Sequence, residues 1–472
     1  MTRTPARRTS QGQEPDPGAE PDPGADDRDA ADQSRADAAR WRAFSVCLVA
    51  AFMTLLDVSI VNVALPSIRE GLQASQTQLQ WIVSGYALAF GLVLVPAGRL
   101  GDLRGRRTVF VTSLALFTAA SAGCGLAGSA SWLIVARLVQ GVAGGMLNPQ
   151  VSGFVQELFR GPERGRAFGL QGSAIGLSTA VGPLAGGGLI GLFGVEHGWR
   201  SVFFVNVPIG LVAIVLAIRL LPASTGSGRR ESLDPVGIVL LGAGTGLLLL
   251  PLVEEQTGGA ALMWRLLPAS ALVLIGFVLW ERGYARRGHE PMIDLSLFRR
   301  ASYTVGSAVA LAYFAGFTAV FFILALYLQS GLGYTALESG LAVTPFAVGS
   351  GLAAFAGGRL VSRLGRPLVA AGLAVVAVAL AVTALVISRT PQSSVGWASA
   401  APLLVAGLGS GVVISPNITL ALSQVPVADA GTAGGMLQTF QRIGSAIGIA
   451  GVGAVFFSHV GGRHTDWTSA VV

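Results

Sequence analysis

Long apolar segments alternate with short polar loops along most of the chain, from about residue 44 to residue 458. Each segment has roughly 17–27 residues, which as an α-helix crosses the ~30 Å hydrocarbon core of a membrane. We therefore predict an all-α polytopic membrane protein. The pattern predicts thirteen membrane helices, whose approximate ranges are 44–67, 79–98, 108–128, 131–156, 167–191, 202–221, 236–253, 265–281, 303–329, 337–358, 367–388, 398–422 and 432–458.

The composition supports a membrane protein and argues against several kinds of catalytic and metal-binding site. Only 12% of the residues are charged, whereas a soluble domain has about 25%. The 32 basic residues are all arginine, so a lysine-dependent P-loop or Schiff base is excluded. We predict no metal, no cofactor and no enzymatic activity. The cysteines and histidines show no spacing typical of a metal site or a disulfide framework, and they are Cys47, Cys124, His197, His289, His459 and His464.

The first 42 residues differ from the rest of the chain. They are rich in Pro, Asp, Ala and Arg, and the sequence EPDPGA occurs twice, at 14–19 and 20–25. Such a composition does not form a packed core, so we predict a disordered cytoplasmic tail at 1–42. The tail is not a secretory signal, because no apolar run follows the first residues.

The arginines indicate which loops face the cytoplasm, where membrane proteins carry an excess of basic residues. Eighteen arginines fall in the loops after the second, fourth, sixth, eighth and tenth predicted helices, and seven fall in the tail. The segments on the opposite side of the membrane hold five arginines. This bias predicts a multi-pass protein of the cell membrane with a cytoplasmic N-terminus. It also accounts for the pI near 10.2 without nucleic acid as a partner.

Two pairs of similar segments indicate an internal repeat. GRLGDLRGR at 98–106 aligns with GRLVSRLGR at 358–366, and GSAIG occurs at 172–176 and again at 444–448. Repeated segments at such a spacing indicate two related halves of about six helices each. In transporters built from parallel repeats of this kind, the substrate site lies between the halves, near the membrane midplane.

We divide the chain on this basis. The N-terminal six-helix half covers 43–221, and two inserted helices with a basic cytoplasmic loop cover 222–300. The C-terminal half covers 301–458, with five helices counted, and a short tail remains at 459–472. The predicted fold is thus two six-helix pseudo-repeats with two extra helices between them.

Two charged residues lie inside predicted helices and are candidates for a functional role. Asp57 lies ~14 Å from the outer end of the first helix, and Arg137 lies ~9 Å from the outer end of the fourth. A charge at the centre of a membrane helix costs ~2.5–3.5 kcal/mol, so its default role is functional or paired. The arginine side chain spans the difference in depth, so the two groups can share one level. A static structural ion pair is the alternative.

Glycine-rich motifs predict where helices turn sharply or pack closely. GRLGDLRGRR (98–107) joins the second and third helices, and Gly98 and Gly105 permit a tight turn and close helix approach. Asp102 can pair with arginines such as Arg106. We expect a charge latch that holds one conformation closed, with topology and turn chemistry alone as the alternative. Small residues at three- and four-residue spacing and a proline bend mark the fifth helix, at Gly182, Pro183 and Gly186.

Aromatic and amide side chains within the predicted helices are candidates for the substrate site. Aromatic rings stack on flat ligands, and a buried amide needs a partner, a ligand or water. Packing or lipid-facing positions are the alternative for the aromatic residues. The candidates are Asn62, Gln140, Gln171, Tyr313, Phe317, Asn417 and Gln438.

Together these motifs resemble the major facilitator superfamily, and specifically its fourteen-helix drug:proton antiporters of the EmrB/QacA type. LDVSIVNVALP (56–66) is similar to the first-helix signature of that subgroup, and WRSVFFVNVPIG (199–210) to its sixth-helix entry. GRLGDLRGRR resembles the superfamily's loop motif, RLVQG (137–141) the basic motif of helix 4, and GPLAGG (182–187) the antiporter motif of exporters. The resemblance covers 44–458 in the expected order.

The resemblance implies a function and roles for several residues. Asp57 is expected to carry the coupled proton, Arg137 to tune or relay it, and Gly182 and Pro183 to control how the two halves pack. The implied function is export of small amphiphilic compounds such as antibiotics by alternating access, in exchange for protons, by a monomer in the lipid bilayer. A proton-coupled uptake symporter of the same fold is the main alternative. A membrane enzyme and a non-transporting receptor are more distant ones.

Two features depart from the subgroup's pattern. Asp57 is the one carboxylate that we place deep in a predicted helix, which favours a neutral, anionic or weakly basic substrate over a polyvalent cation. Thirteen predicted helices also fall short of fourteen. Because WTSAVV (467–472) resembles the first turn of a further helix, we interpret the chain as truncated relative to the subgroup. A genuine thirteen-helix member and a miscounted helix are the alternatives.

Overall fold

The computed structural model describes residues 25–223, 234–254, 265–289 and 291–460, and within these ranges the regular structure is helical. We label the helices of ten residues or more in chain order. They are α1 (Ala25–Leu72), α2 (Gln76–Arg104), α3 (Arg106–Gly125), α4 (Ala130–Leu158), α5 (Gly161–Phe193), α6 (Val195–Phe204), α7 (Asn206–Leu220), α8 (Pro235–Glu254), α9 (Leu266–Arg286), α10 (Ala301–Leu326), α11 (Ala336–Leu364), α12 (Arg366–Arg389), α13 (Ala400–Ala421) and α14 (Ala430–Val460).

Each predicted membrane segment coincides with a helix. Within the described residues, eleven spans are long and apolar enough to cross a membrane, with α6 and α7 together forming the span His197–Leu220. A shorter apolar helix, Pro235–Leu248, lies within α8, and α14 covers the last predicted segment. The predicted all-α polytopic fold is confirmed.

The first helix begins earlier than the sequence predicts. Ala25–Arg42, assigned above to a disordered tail, is helical and continuous with the apolar part of α1. Its sequence AADQSRADAAR is rich in Ala and contains two Arg, and both residue types favour helix even in a polar segment. Asp32 and Arg35 also form an exposed ion pair at 3.5 Å, one turn apart. Helix propensity thus outweighs the polar composition here, while residues 1–24 lie outside the described part.

Contacts divide the chain within α1. One unit ends at Arg42, and the helical bundle begins at Ala43. The last described helix of the bundle, α14, ends at Val460. The segment 467–472, interpreted above as the start of a further helix, lies outside the described residues.

The two copies of the repeated loop motif form the same helix–turn–helix. Gly105 separates α2 from α3 with a φ of +93°, and Gly365 separates α11 from α12 with a φ of +57°. Glycine adopts a positive φ without the steric cost that a Cβ brings. The glycine retained at this position in both repeats therefore makes the tight turn possible.

Small residues set the contact between the two halves. Helix α5 packs along α11, and α2 packs along α14. A Cβ at Gly165 would clash with the backbone of Gly358, and a Cβ at Gly98 would clash with the backbone of Gly431. Backbones therefore meet directly at these positions, as in other closely packed membrane helices. Glycine surfaces therefore let α5 approach α11 closely and α2 approach α14 closely.

Candidate proton and substrate site

A buried carboxylate, Asp57 on α1, lies inside the N-terminal half. Arg137 on α4 is buried with it and donates from Nη1 to Asp57 Oδ2 at 2.6 Å. The other oxygen, Oδ1, accepts from Gln140 Nε2 at 2.9 Å and from Asn206 Nδ2 at 2.8 Å. One cationic and two neutral donors thus compensate a charge that would be costly alone in this environment.

Ser121 on α3 connects the two amides. Its Oγ accepts from Gln140 Nε2 at 2.6 Å and from Asn206 Nδ2 at 3.4 Å. Gln140 Oε1 in turn accepts from Arg137 Nη1 at 2.7 Å. Helices α1, α3, α4 and α7 therefore share one hydrogen-bond network, in which a change at one group is felt by the others.

A break between α6 and α7 positions Asn206. Helix α6 ends at Phe204 and α7 begins at Asn206, with Pro208 in its first turn. Proline has no backbone N–H, so α6 cannot continue with regular hydrogen bonds through this point. One turn later, Gly210 lets α7 approach α3 so closely that a Cβ would clash with Thr118. The break between α6 and α7 and the close packing of α7 on α3 together bring the Asn206 amide to Asp57.

The guanidinium of Arg137 makes further contacts on α2. Its Nε donates to the Ile82 carbonyl at 3.2 Å, and its Cζ lies 4.1 Å from the centroid of the Tyr86 ring. A guanidinium over an aromatic face gains a cation–π attraction. These contacts hold Arg137 in place on the side of the group that Asp57 does not occupy.

A cavity lies between α1, α2, α4 and α14, and therefore between the two halves. It contains about 360 Å³ of space, part of it open to solvent. Arg137 lines this cavity, whereas Asp57 lies behind it. The wall is mainly apolar, and its residues are Val58, Val61, Asn62, Val83, Tyr86, Ala87, Phe90, Arg137 and Arg442.

Arg442 on α14 brings a second positive charge to the cavity from the C-terminal half. Its Cζ lies 4.7 Å from the centroid of the Phe90 ring. Within the described part of the chain, the ion pairs of the bundle involve other arginines, and Arg442 has no carboxylate at ion-pair distance. Because Asp57 compensates Arg137, the cavity wall carries a net positive charge.

Two of the predicted substrate-binding residues lie at this site. Asn62 lines the cavity, and Gln140 belongs to the hydrogen-bond network around Asp57. The structure does not bring the other candidates to the cavity wall, and these are Gln171, Tyr313, Phe317, Asn417 and Gln438.

Three of those other candidates make packing contacts inside the C-terminal half. The Tyr313 hydroxyl bonds to Ser410 Oγ at 2.6 Å, and the Phe317 ring stacks on Tyr313 with centroids 5.7 Å apart. Asn417 Nδ2 donates to the Gly306 carbonyl at 2.9 Å. The two hydrogen bonds tie α10 to α13 with neutral groups, and the stacked rings lie within α10.

The loop motif joins the two halves at one end of the bundle. Asp102 Oδ1 accepts from Gly431 N at 3.1 Å, and its Oδ2 accepts from Thr432 N and Oγ1, both at 2.9 Å. These donors belong to the first turn of α14, where free N–H groups favour a carboxylate. Arg106 donates to Asp102 at 2.8 Å and also to the Val427 carbonyl. The motif thus closes this end by bonding across the halves.

The small residues of α5 contact both halves. A Cβ at Gly182 would clash with Ser59 on α1, and a Cβ at Gly186 would touch the next residue of α1. Pro183 faces the other half, since a Cβ at Gly340 on α11 would lie 3.1 Å from its Cβ. The predicted packing motif therefore touches the helix that carries the buried carboxylate as well as the opposite half.

Four residues of the site have no role predicted from the sequence: Ser121, Asn206, Tyr86 and Arg442. Arg442 carries a usable signal, because a charge inside a membrane helix is functional by default. Asn206 carries a weaker one, since it is an amide two residues before Pro208 in an otherwise apolar run. Ser121 and Tyr86 carry none, because small polar and aromatic residues are common in membrane helices.

The sequence profile of the Major Facilitator Superfamily matches residues 47–449. The chain belongs to this superfamily. It is 40% identical over 432 residues to the "Probable actinorhodin transporter" of Streptomyces coelicolor, covering 91% of this chain and 74% of the relative. It is 33% identical over 436 residues to the "Tetracenomycin C resistance and export protein" of Streptomyces glaucescens, covering 91% and 78%. The superfamily predicted from the motifs is confirmed.

A solved structure supports the same fold. The proton:xylose symporter XylE superposes with a TM-score of 0.65 at 15% sequence identity, over 92% of this chain and 93% of that chain. At this identity the likeness concerns the fold alone. It confirms the superfamily architecture of helical halves predicted from the internal repeat.

Proposed function

We propose that this superfamily member exports small amphiphilic organic compounds, antibiotics among them, in exchange for protons. The observation that carries the proposal is the buried Asp57–Arg137 pair beside a cavity between the two halves. Ionisable residues inside a membrane protein mark substrate, ion or proton pathways. Relatives named for transport or export of actinorhodin and tetracenomycin C support the direction of transport.

We further assign the chain to the fourteen-helix drug:proton antiporters and its N-terminus to the cytoplasm. The signatures at 56–66 and 182–187 support the subgroup, and the distribution of arginines supports the orientation. With this orientation the Asp102 latch lies at the cytoplasmic face. The arrangement described above is then the one closed toward the cytoplasm.

Exchange follows from rocking of the two halves about the cavity. In the outward-open form, a proton binds Asp57 and removes the charge that holds Arg137. The guanidinium, which already lines the cavity, is released into it and displaces the substrate. In the inward-open form the proton leaves, the ion pair forms again, and the cavity accepts another substrate molecule. Proton and substrate therefore exclude each other.

One titrating carboxylate is energetically sufficient for this cycle. A proton that crosses a membrane potential of ~100 mV releases about 2.3 kcal/mol. At about 1.4 kcal/mol for each tenfold change, one proton supports a concentration ratio of roughly fifty-fold. A second proton site is therefore not required for modest export.

The test uses inverted membrane vesicles with an acidic lumen, an encapsulated pH indicator, and actinorhodin and tetracenomycin C as probes. We expect a probe-dependent rise of lumenal pH with the unaltered protein and none with Asp57→Asn. Glu281→Gln is the matched control, because Glu281 is an equally buried carboxylate within a membrane-spanning helix, α9, away from the cavity. The Glu281→Gln variant should show the same probe-dependent rise of lumenal pH as the unaltered protein.

Two results argue against the proposal. An unchanged pH response in Asp57→Asn removes the coupling role of this carboxylate. A response that appears only when the probe is loaded inside the lumen reverses the direction and supports uptake by a symporter.

A further inference from the structure

One acceptor in the Asp57 network has no donor. Asn206 is buried, and its Nδ2 donates to Asp57 Oδ1 at 2.8 Å and to Ser121 Oγ at 3.4 Å. Its own Oδ1 is buried and has no hydrogen-bond partner among the described residues. Buried polar atoms in folded proteins are nearly always paired, so an unpaired one beside a titratable group calls for an explanation.

Protonation of Asp57 changes what its neighbours must provide. An ionised carboxylate only accepts hydrogen bonds, whereas a protonated carboxyl also donates one. Oδ1 of Asp57 faces the amide N–H groups of Gln140 and Asn206. A proton on Oδ1 therefore points at two donors, and one amide has to turn its oxygen toward the new O–H.

Gln140 is held against such a turn. Its Oε1 accepts from Arg137 Nη1 at 2.7 Å and lies 3.6 Å from Cys124 Sγ, and its Nε2 donates to Ser121 at 2.6 Å. Turning this amide breaks its contacts with Ser121 and Cys124 even after Arg137 has been released. The Asn206 oxygen accepts no hydrogen bond from the described residues. A half-turn about the Cβ–Cγ bond of Asn206 exchanges the positions of this oxygen and the amide nitrogen.

The other ionisable groups near Asp57 do not offer that acceptor. Arg137 from α4 only donates. Tyr86 from α2 presents its ring face to the guanidinium, and its hydroxyl, which has no hydrogen-bond partner among the described residues, lies toward Gly144 of α4. The thiol of Cys124 from α3 is directed at Gln140. Asn206 from α7 is left as the group whose free oxygen lies beside Asp57 Oδ1.

We propose that Asn206 is a positioning residue that matches its hydrogen bonds to the protonation state of Asp57. Its amide donates to the carboxylate and, after the half-turn, accepts from the protonated carboxyl. The proton comes from water in the cavity, forms an O–H bond at Asp57 Oδ1, and returns to water when the carboxylate re-forms. The neutral carboxyl of Asp57 on α1 then stays bonded to Asn206 on α7 while Arg137 is released.

The inference rests on the proposed proton-carrying role of Asp57, and infrared difference spectroscopy tests both separately. Full-length protein in lipid vesicles is measured at neutral and acidic pH, and the carboxylic C=O stretch that is absent in Asp57→Asn belongs to Asp57. Donation of a hydrogen bond lowers the frequency of that stretch. We expect the band to move to higher wavenumber in Asn206→Leu and to stay in place in Asn148→Leu.

Asn148 is a matched control because it is a buried amide of the same half that bonds to the Gly144 carbonyl at 3.2 Å and not to Asp57. A second pair guards against a folding defect in Asn206→Leu. Asn206→Ser and Asn206→Ala differ little in size, but only the serine side chain can accept a hydrogen bond from the carboxyl O–H. The band should lie at lower wavenumber in the serine variant than in the alanine variant.

The outcomes separate the two proposals. An Asp57 band that has the same wavenumber in the unaltered protein, Asn206→Leu and Asn206→Ala overturns the role of Asn206 and leaves proton coupling intact. The absence of any Asp57-dependent band between neutral and acidic pH overturns both proposals.

Discussion

The two copies of the loop motif share their sequence but not their surroundings. In the first copy, Arg106 is buried and Asp102 bonds across to α14. In the second copy, Ser362 stands in place of the aspartate, is exposed, and bonds to the Arg359 carbonyl of its own helix at 3.1 Å. Arg366, the counterpart of the buried arginine, is exposed. The repeat has kept the turn in both halves and the charged contact in one.

The same contrast holds inside the bundle. Helices α1 and α4 of the first repeat are joined by the Asp57–Arg137 ion pair. Their counterparts α10 and α13 are joined by two neutral hydrogen bonds, from Tyr313 to Ser410 and from Asn417 to the Gly306 carbonyl. The buried charged contact thus lies in the N-terminal half, and the matching helices of the C-terminal half are held by neutral contacts. Three predictions test this contrast.

The largest expected effect comes from removing one charge of the buried pair. Arg137→Gln leaves the Asp57 carboxylate buried without its cation, which costs ~3–5 kcal/mol. The double variant Asp57→Asn/Arg137→Gln removes both charges and should recover most of that loss. Thermal unfolding of detergent-purified protein measures the three stabilities. A double variant as unstable as Arg137→Gln alone contradicts the ion pair as the source of the effect.

An intermediate effect is expected at the latch. Asp102→Asn weakens hydrogen bonds to an ionised acceptor, each worth about 1.5–3 kcal/mol, so the closed form should be less populated. A short bifunctional thiol reagent that links Glu157→Cys to Val427→Cys reports closure, because Arg106 bonds to both residues across the two halves. Cross-linking should fall in Asp102→Asn.

The second repeat supplies the control for the latch. Ser362→Ala changes the matching position of the other loop and should leave the cross-linking yield unaltered. Equal cross-linking yields in Asp102→Asn and Ser362→Ala would mean that the motif serves only as a tight turn and a topology signal, which is the alternative considered from the sequence.

The smallest effect is expected for Tyr313→Phe. It removes one neutral hydrogen bond to Ser410, which is worth about 1 kcal/mol, and keeps the ring stacked on Phe317. Probe-dependent proton exchange in vesicles should persist at close to the rate of the unaltered protein. Loss of exchange in this variant would mean that the C-terminal half shares in proton coupling.

The sequence predicts the fold well because a membrane restricts the choices. Spanning segments must be long, apolar and helical, and the thirteen predicted segments follow from that rule. The pairing of Asp57 with Arg137 is equally predictable, since both are charged and lie at similar depth in neighbouring helices. These inferences need only local sequence and the cost of a buried charge.

Other features depend on contacts between distant segments. The latch partners of Asp102 lie more than 300 residues further along the chain, so its arginine is predictable from spacing and its bonds to α14 are not. Ser121 and Asn206 reach Asp57 only because α3, α6 and α7 fold against each other. Ala25–Arg42 shows a different limit, because polar composition alone does not reveal a helix built from strong helix formers.

The central claim is that Asp57 carries the exchanged proton. The most direct test adds the probe that drives proton exchange in the vesicle assay to detergent-purified protein in a weakly buffered, mildly acidic solution and records the pH. Because binding and protonation exclude each other, the account predicts proton release from the unaltered protein and from Glu281→Gln, and none from Asp57→Asn. Equal proton release from Asp57→Asn, or none from the unaltered protein, would contradict it.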